Sequence, residues 1–201
     1  MKKIILVDGN NLMFRSYFAT LYSGSIMKNS KGIATNALYG FVSMINKIIE
    51  EEKPVYMAVA FDIGKNFRHE KYESYKAGRK ETPDDLRIQM PIARRVLDAM
   101  GIKHYEIEGY EADDIIGTFS KQISELDEFT GTIISSDKDL LQLISKDVTV
   151  KLLKTKDLIM MDRNTFFDTY GIERAVVLST EREIIHKGKI TYLPIYYVMF
   201  M

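Results

Sequence analysis

Asp8, Asp62 and Asp137 each stand at the end of a short apolar run, over residues 4–7, 55–61 and 133–136. Glu111, Asp113 and Asp114 crowd together between the second and third runs, and Asp139 follows closely on Asp137. Such β-branched runs with turn residues after them read as buried strands. In an open α/β sheet, ligands bind in the crevice outside the carboxyl ends of the strands. The spacing therefore aims several carboxylates at one place. Gathered like charges repel, and hard divalent cations with oxygen ligands offset that repulsion. The chemistry this allows is metal-assisted attack on phosphates. A lone aspartate after a strand is most often a turn former or helix cap. Acids that open a helix also favour the positive end of its dipole. The joint pattern, not any one acid, carries the reading. Two divalent ions roughly 3.5–4 Å apart would share several carboxylates, one activating a water and the other stabilising the leaving oxygen. Oxygen-only ligands suit magnesium or manganese better than zinc.

A basic stretch leaves directly from the strand that carries Asp62. Between Gly64 and Lys80 stand Lys65, Arg68, Lys71, Lys76, Arg79 and Lys80, opposed only by Glu70 and Glu73. Phe67, Tyr72 and Tyr75 are interleaved with them. Basic groups mixed with aromatics suit a surface that tracks a nucleic-acid backbone and stacks bases. A solvated amphipathic helix explains the same pattern equally well until position is considered. Overhanging the acidic crevice, these cations can neutralise phosphate charge.

The elements that must position these groups alternate. A strand ends at Val7, and the Gly9-Asn10 turn opens a helix to about Leu21. A loop rich in glycine and serine covers 23–32, and a second helix covers 35–52 with Leu38, Phe41, Val42, Ile45 and Ile49 at helical spacing. After the strand at 55–61 and the basic stretch, Thr82-Pro83-Asp84 reads as the cap and first turn of a helix to Met100, stopped by Gly101. A strand at 102–107, a helix at 111–126, a strand at 132–135 and a short helix at 138–144 follow. Strands at 148–153 and 158–161 and a helix at 162–170 end the regular pattern. Alternating strand and helix predicts an α/β fold with a central, mainly parallel sheet flanked by helices. Periodicity is lost after Gly171, and 173–201 read as an atypical tail.

Composition narrows the classes. Apolar residues make up 46% of the 201 positions, enough for a substantial core. The 28 basic and 28 acidic residues cancel, so whole-chain charge says nothing about nucleic acid and local distribution decides. Absence of cysteine excludes disulfides and thiolate metal sites, and His69, His104 and His186 lack zinc-ligand spacing. The first apolar run stops at Asp8, too short for a secretory signal, and no stretch approaches the roughly 20 apolar residues of a membrane span. A cytoplasmic protein with no membrane partner is expected. Phosphate-binding and nucleophile-elbow motifs fail: Gly64-Lys65 lacks the upstream glycine and is followed by Asn66. Asn10 stands where an aspartyl-phosphatase loop would carry a second aspartate.

Read in order, these residues resemble the 5′-nuclease domain at the amino end of bacterial DNA polymerase I and in related flap endonucleases. The segments that carry the resemblance begin with Val7-Asp8-Gly9-Asn10-Asn11-Leu12-Met13-Phe14-Arg15 and Thr35-Asn36-Ala37-Leu38-Tyr39-Gly40-Phe41. Phe61-Asp62, Phe67-Arg68 and Tyr75-Lys76-Ala77-Gly78-Arg79 come next. Gly109-Tyr110-Glu111-Ala112-Asp113-Asp114 and Ser136-Asp137-Lys138-Asp139-Leu140-Leu141-Gln142-Leu143 complete them. The resemblance covers about residues 1–172 and implies a PIN-like domain with a helical arch over the active site at about 64–82. It implies 5′-3′ exonuclease and flap endonuclease activity on DNA with 5′ ends or flaps, in replication and repair, with two magnesium or manganese ions. By position, Asp8, Asp62, Glu111, Asp113, Asp114, Asp137 and Asp139 would be the metal-site acids. Arg68, Lys76 and Arg79 would hold the reacting phosphate, with Tyr75 stacking nearby. Lys65, Lys71 and Lys80 join them as DNA contacts from the charge reading. A monomer is expected, with a separate DNA polymerase as a partner.

Beyond Tyr170-Gly171-Ile172 the chain departs from the family. Relatives continue into a glycine–aspartate motif with further metal-site acids, then a helix-hairpin-helix-like element that grips duplex DNA. Residues 173–201 resemble neither. The expectation is a chain truncated at its carboxyl end, with a weakened second metal site. Two alternatives stay open: a non-catalytic DNA-binding remnant, and a PIN-type ribonuclease, against which the basic arch argues.

Overall fold

The structure is a computed structural model. It describes residues 1–21, 26–64, 66–72, 78, 81–154 and 157–170, and the backbone of 175–179, 185–187 and 190–194. Two compact units form, Met1–Asp162 and Arg163–Met201. In the first, β1 (Lys2–Asp8) leads into α1 (Gly9–Leu21) and α2 (Asn36–Glu52), then β2 (Tyr56–Ala60). A short helix α3 (Phe67–Lys71), α4 (Asp84–Ala99), β3 (Lys103–Tyr105) and α5 (Ala112–Ser124) follow. Next come β4 (Phe129–Ser135), a 3-10 turn (Lys138–Leu143), β5 (Val148–Leu153) and β6 (Leu158–Met161).

The strands order as β3-β2-β1-β4-β5-β6. All neighbouring pairs are parallel except β5 with β6. This is the expected α/β architecture. β1 is central, and its Ile5, Leu6 and Val7 are all buried, as a parallel strand covered on both faces must be. Ile5 and Val7 face a core shared with Leu12 and Met13 of α1, Phe41 and Ile45 of α2, and Leu97 of α4. Leu6 lies outside that cluster, since successive strand residues point to opposite faces; α5 packs on β1 and β4.

The chain winds outward from β1 through β2 to β3, then returns to lay β4 on the other side of β1. The strand order therefore reverses between β1 and β4. The carboxyl ends of those strands frame the crevice where such sheets hold ligands. Register brings them level: Asp8 pairs with Ala60, and Val7 with Ile134.

Several boundaries differ from expectation. Helix α4 starts at Asp84 with Pro83, not Thr82, at its cap, and no side-chain oxygen closes that end. The helix expected at 138–144 is a 3-10 turn, because the Asp137 carboxylate accepts the N–H of Asp139 and tightens the chain there. Strand β3 is shorter than the run 102–107, since Gly109 at positive φ turns the chain toward α5.

The second unit holds α6 (Arg163–Tyr170) and strands β7 (Ala175–Ser179), β8 (Ile185–Lys187) and β9 (Ile190–Pro194). These strands form a sheet ordered β7-β9-β8. The segment read as lacking periodicity thus contains strands. Among the described residues no helix is long and apolar enough to cross a membrane.

Candidate active site

The turn after β1 is built on a close approach. A Cβ on Gly9 would sit 2.5 Å from the Phe61 ring. Glycine lets the first turn of α1 rest on the end of the β2 segment, which carries Asp62. There the Asn10 amide donates to Asp62 at 3.2 Å, and Asn10 Oδ1 accepts the Asp62 N–H at 3.3 Å. Asp8 caps α1, accepting the N–H of Asn11 at 3.0 Å.

The end of β4 is tied to the same turn. Ser135 donates its hydroxyl to Asp8 at 3.0 Å and accepts the N–H of Asp137 at 3.0 Å. Asn11 Oδ1 accepts from Ser136 through its N–H at 2.9 Å and its hydroxyl at 2.6 Å. The start of α5 closes the third side. Asp62 accepts the N–H of Ala112 at 2.7 Å, using an orphan donor of that helix. Glu111 is the cap residue, and Asp114 accepts its N–H at 3.0 Å in a capping box.

Asp8, Asp62, Glu111, Asp113, Asp137 and Asp139 all line one open cleft of about 860 Å3. Phe14, Phe18, Pro83 and Tyr110 give it an apolar wall. Burial pushes the Asp8 carboxyl up to about 6, against the bonds from Asn11 and Ser135 and with help from the charges of Asp62 and Asp137. Burial also pushes Asp113 up to about 7, joined by the charges of Asp8, Asp137, Asp62 and Glu111. Five of the seven expected acids thus feel one another. Asp139 is exposed on the rim.

Asp114 faces elsewhere. Both its oxygens take the guanidinium of Arg68, each at 2.8 Å. Arg68 also lies over the Phe67 ring and 4.0 Å from Glu111. Lys71 is exposed, 5.7 Å from the centre of the same ring. Lys65, Tyr75, Lys76, Arg79 and Lys80 lie outside the described residues, and with them the middle of the expected arch.

The donor set fits a hard divalent cation. Every acid offered is an oxygen ligand, and burial, helped by mutual repulsion, already holds protons on two of them toward neutral pH. Among the described residues no three acidic or histidine side chains form a ready-made cage.

Sequence reasoning named none of Asn10, Asn11, Ser135 or Asn66 as a site residue, reading Asn10 only as part of a turn. Their only signal is a small polar residue beside a strand end or helix start. It also missed a buried polar link behind the apolar wall. Gln89 of α4 accepts the N–H of Leu38 at 3.1 Å and donates to Asn36 at 3.2 Å, and Asn36 donates to Thr20 of α1 at 2.9 Å.

The chain matches the family described as 5′-3′ exonuclease, N-terminal resolvase-like domain, over residues 3–171. It belongs to that family. DNA polymerase I of Bacillus subtilis is 49% identical over 154 residues, covering 76% of this chain and 17% of the relative. That of Caldicellulosiruptor bescii is 46% identical over 175 residues, covering 85% and 19%. The chain therefore spans under a fifth of the length of the curated relatives it matches. Among solved structures, T5 5′-exonuclease with divalent zinc ions bound superposes with a TM-score of 0.60 at 23% identity, over 85% of this chain and 62% of that one. At that identity the likeness establishes the PIN-like fold.

Proposed function

We propose that this chain carries the catalytic acids of a metal-dependent 5′-3′ exonuclease and flap endonuclease that hydrolyses DNA phosphodiesters. The observation that carries the reading is the set of mutually repelling carboxylates at the reversal of strand order, Asp8, Asp62, Glu111, Asp113 and Asp137. These five are the primary cation ligands, with Asp139 a rim ligand and Asp114 acting on Arg68. Magnesium or manganese, when bound, supplies Lewis acidity for hydrolysis near neutral pH. Family membership supports the reaction, and the oxygen-only donor set favours magnesium or manganese.

The remaining work falls to the protein's own groups. Asp114 holds the Arg68 guanidinium beside Glu111, where its charge can act on a phosphate. Lys71, with Lys65, Lys76, Arg79 and Lys80, supplies cations along the DNA backbone, and Tyr75 a stacking ring. Phe14 and Phe18 form an apolar side of the cleft. Replication and repair of DNA with 5′ ends or flaps, a cytoplasmic location, a monomeric state and a polymerase partner belong to the same proposal.

A second reading, a DNA-binding module without catalysis, is favoured by the lack of a preassembled cage among the described acids. Cleavage of a labelled 5′-flap DNA at low salt, with magnesium or manganese, separates the two. The double variant Asp113→Ala, Asp137→Ala is the control. Cleavage by the wild type alone is expected. Metal-dependent DNA binding without cleavage supports the second reading, and cleavage by both proteins refutes the assignment of the acids.

A further inference from the structure

Asn66 is one of few buried polar side chains among the described residues, at 5% exposure, although Glu70, Lys71 and Tyr72 at the other end of α3 are exposed. The backbone pins it there. Asn66 bridges Gly109 in parallel, and the N–H of Phe67 donates to Gly109 O at 3.0 Å. The first turn of α3 is thus moored to the loop that leads into Glu111.

The carboxamide works in two directions. Its oxygen caps α3, accepting the N–H of Arg68 at 3.0 Å and of His69 at 3.3 Å. Its nitrogen donates to Oε1 of Glu111. Only a primary amide of this length does both. A carboxylate has no donor, and a hydroxyl caps the helix but falls short of Glu111. Arg68 adds a second clasp between the same elements through Asp114.

We propose that Asn66 is a positioning residue that aims the Glu111 carboxylate into the acid cluster and so links cation binding to the order of the basic segment. This rests on the functional reading above. Groups that orient a ligand through a hydrogen bond commonly tune metal affinity about 10–100-fold. Asn66 has the position to do so through its bond to Glu111. The linkage is reciprocal: a cation that favours the aimed Glu111 also favours the capped α3, which presents Arg68.

The test uses the full chain and Mn2+ alone, with binding followed by loss of the free-ion signal in electron paramagnetic resonance. Asn66→Ser keeps a capping oxygen and loses the reach to Glu111. The expected result is Mn2+ affinity weaker by about tenfold, measured where thermal unfolding shows the variant fully folded. In a Glu111→Ala background the same change should alter affinity no further, because Asn66 acts through that carboxylate. Asn66→Thr repeats the measurement in case the serine variant fails to fold. Wild-type affinity in both capping variants overturns the inference while leaving the metal reading intact. An equal loss in the Glu111→Ala background also overturns it, because the effect then bypasses Glu111. Absence of Mn2+ binding by the wild type overturns both.

Discussion

Replacing Asp8 by asparagine should stabilise the metal-free protein at the pH where it is expected to work. Asp8 is 6% exposed, and burial is the main reason its carboxyl rises from 3.8 to about 6. A carboxyl raised in the folded state favours folding while protonated. That contribution is fully present below about 3.8 and is lost as pH rises through about 6. The gap between those values is worth about 3 kcal/mol at pH 8. Asparagine removes the charge and keeps most of the geometry. Its oxygen still accepts the N–H of Asn11, and asparagine caps helices as well as aspartate does. The amide side must turn the Ser135 hydroxyl from donor to acceptor, at a cost of about 1 kcal/mol. A net gain of about 2 kcal/mol is expected at pH 8, shrinking toward or below zero at pH 4. Urea unfolding in the presence of a chelator, at several pH values, measures it. Millimolar magnesium should then stabilise the wild type by mass action and the variant far less. A variant less stable than wild type at pH 8, or a difference that ignores pH, would refute the electrostatic account of the cleft.

Other expectations concern the supports. Glu52 is buried at the far end of β1 between Lys3, at 2.9 Å, and Lys151. Burial pushes its carboxyl up, but the two lysines outweigh this and hold it below its usual 4.5. Its contribution is therefore present above 4.5 and fades as pH falls below it. Glu52→Ala should cost about 3 kcal/mol near pH 7, visible as a lower urea midpoint, with the loss narrowing in acid. Gly9→Ala drives a methyl into the Phe61 ring and should cost about 1–3 kcal/mol. It should also slow flap cleavage by shifting Asp62; a fully active Gly9→Ala would show that the contact does not place that acid. Arg68→Lys keeps the charge and loses the fork on Asp114. It should lower the cleavage rate about tenfold while leaving stability within about 1 kcal/mol, measured on the same flap substrate and by thermal unfolding.

The sheet was legible because its strands leave little choice. Residues 4–7 and 133–134 are continuous apolar runs, which only a strand covered on both faces can bury. The acids after them were legible for the same reason, since a buried strand must end where a charge begins. What escaped was direction. Asp113 and Asp114 are adjacent on α5, yet one faces the cleft and the other Arg68, because helix neighbours lie about 100° apart. Spacing alone could not tell which was which without the position of Arg68. Asn66 escaped because a cap and a carboxylate-holding amide look alike in sequence. The strands at 185–187 and 190–194 escaped because they are short and mix polar, charged and aromatic residues, and the apolar run 175–179 was passed over with them.

The order of strand pairing bears on how the protein is made. β1 can pair with β2 across about fifty residues, but β4 reaches its place beside β1 only after the chain has passed residue 135. Asp137 and Asp139 therefore join Asp8, Asp62 and Asp113 last. A chain emerging from a ribosome can collapse the apolar cluster of β1, β2, α1, α2 and α4 before the like charges are forced together. Maturation of the cleft is then a late event, and cation supply bears on the final pairing more than on the early core.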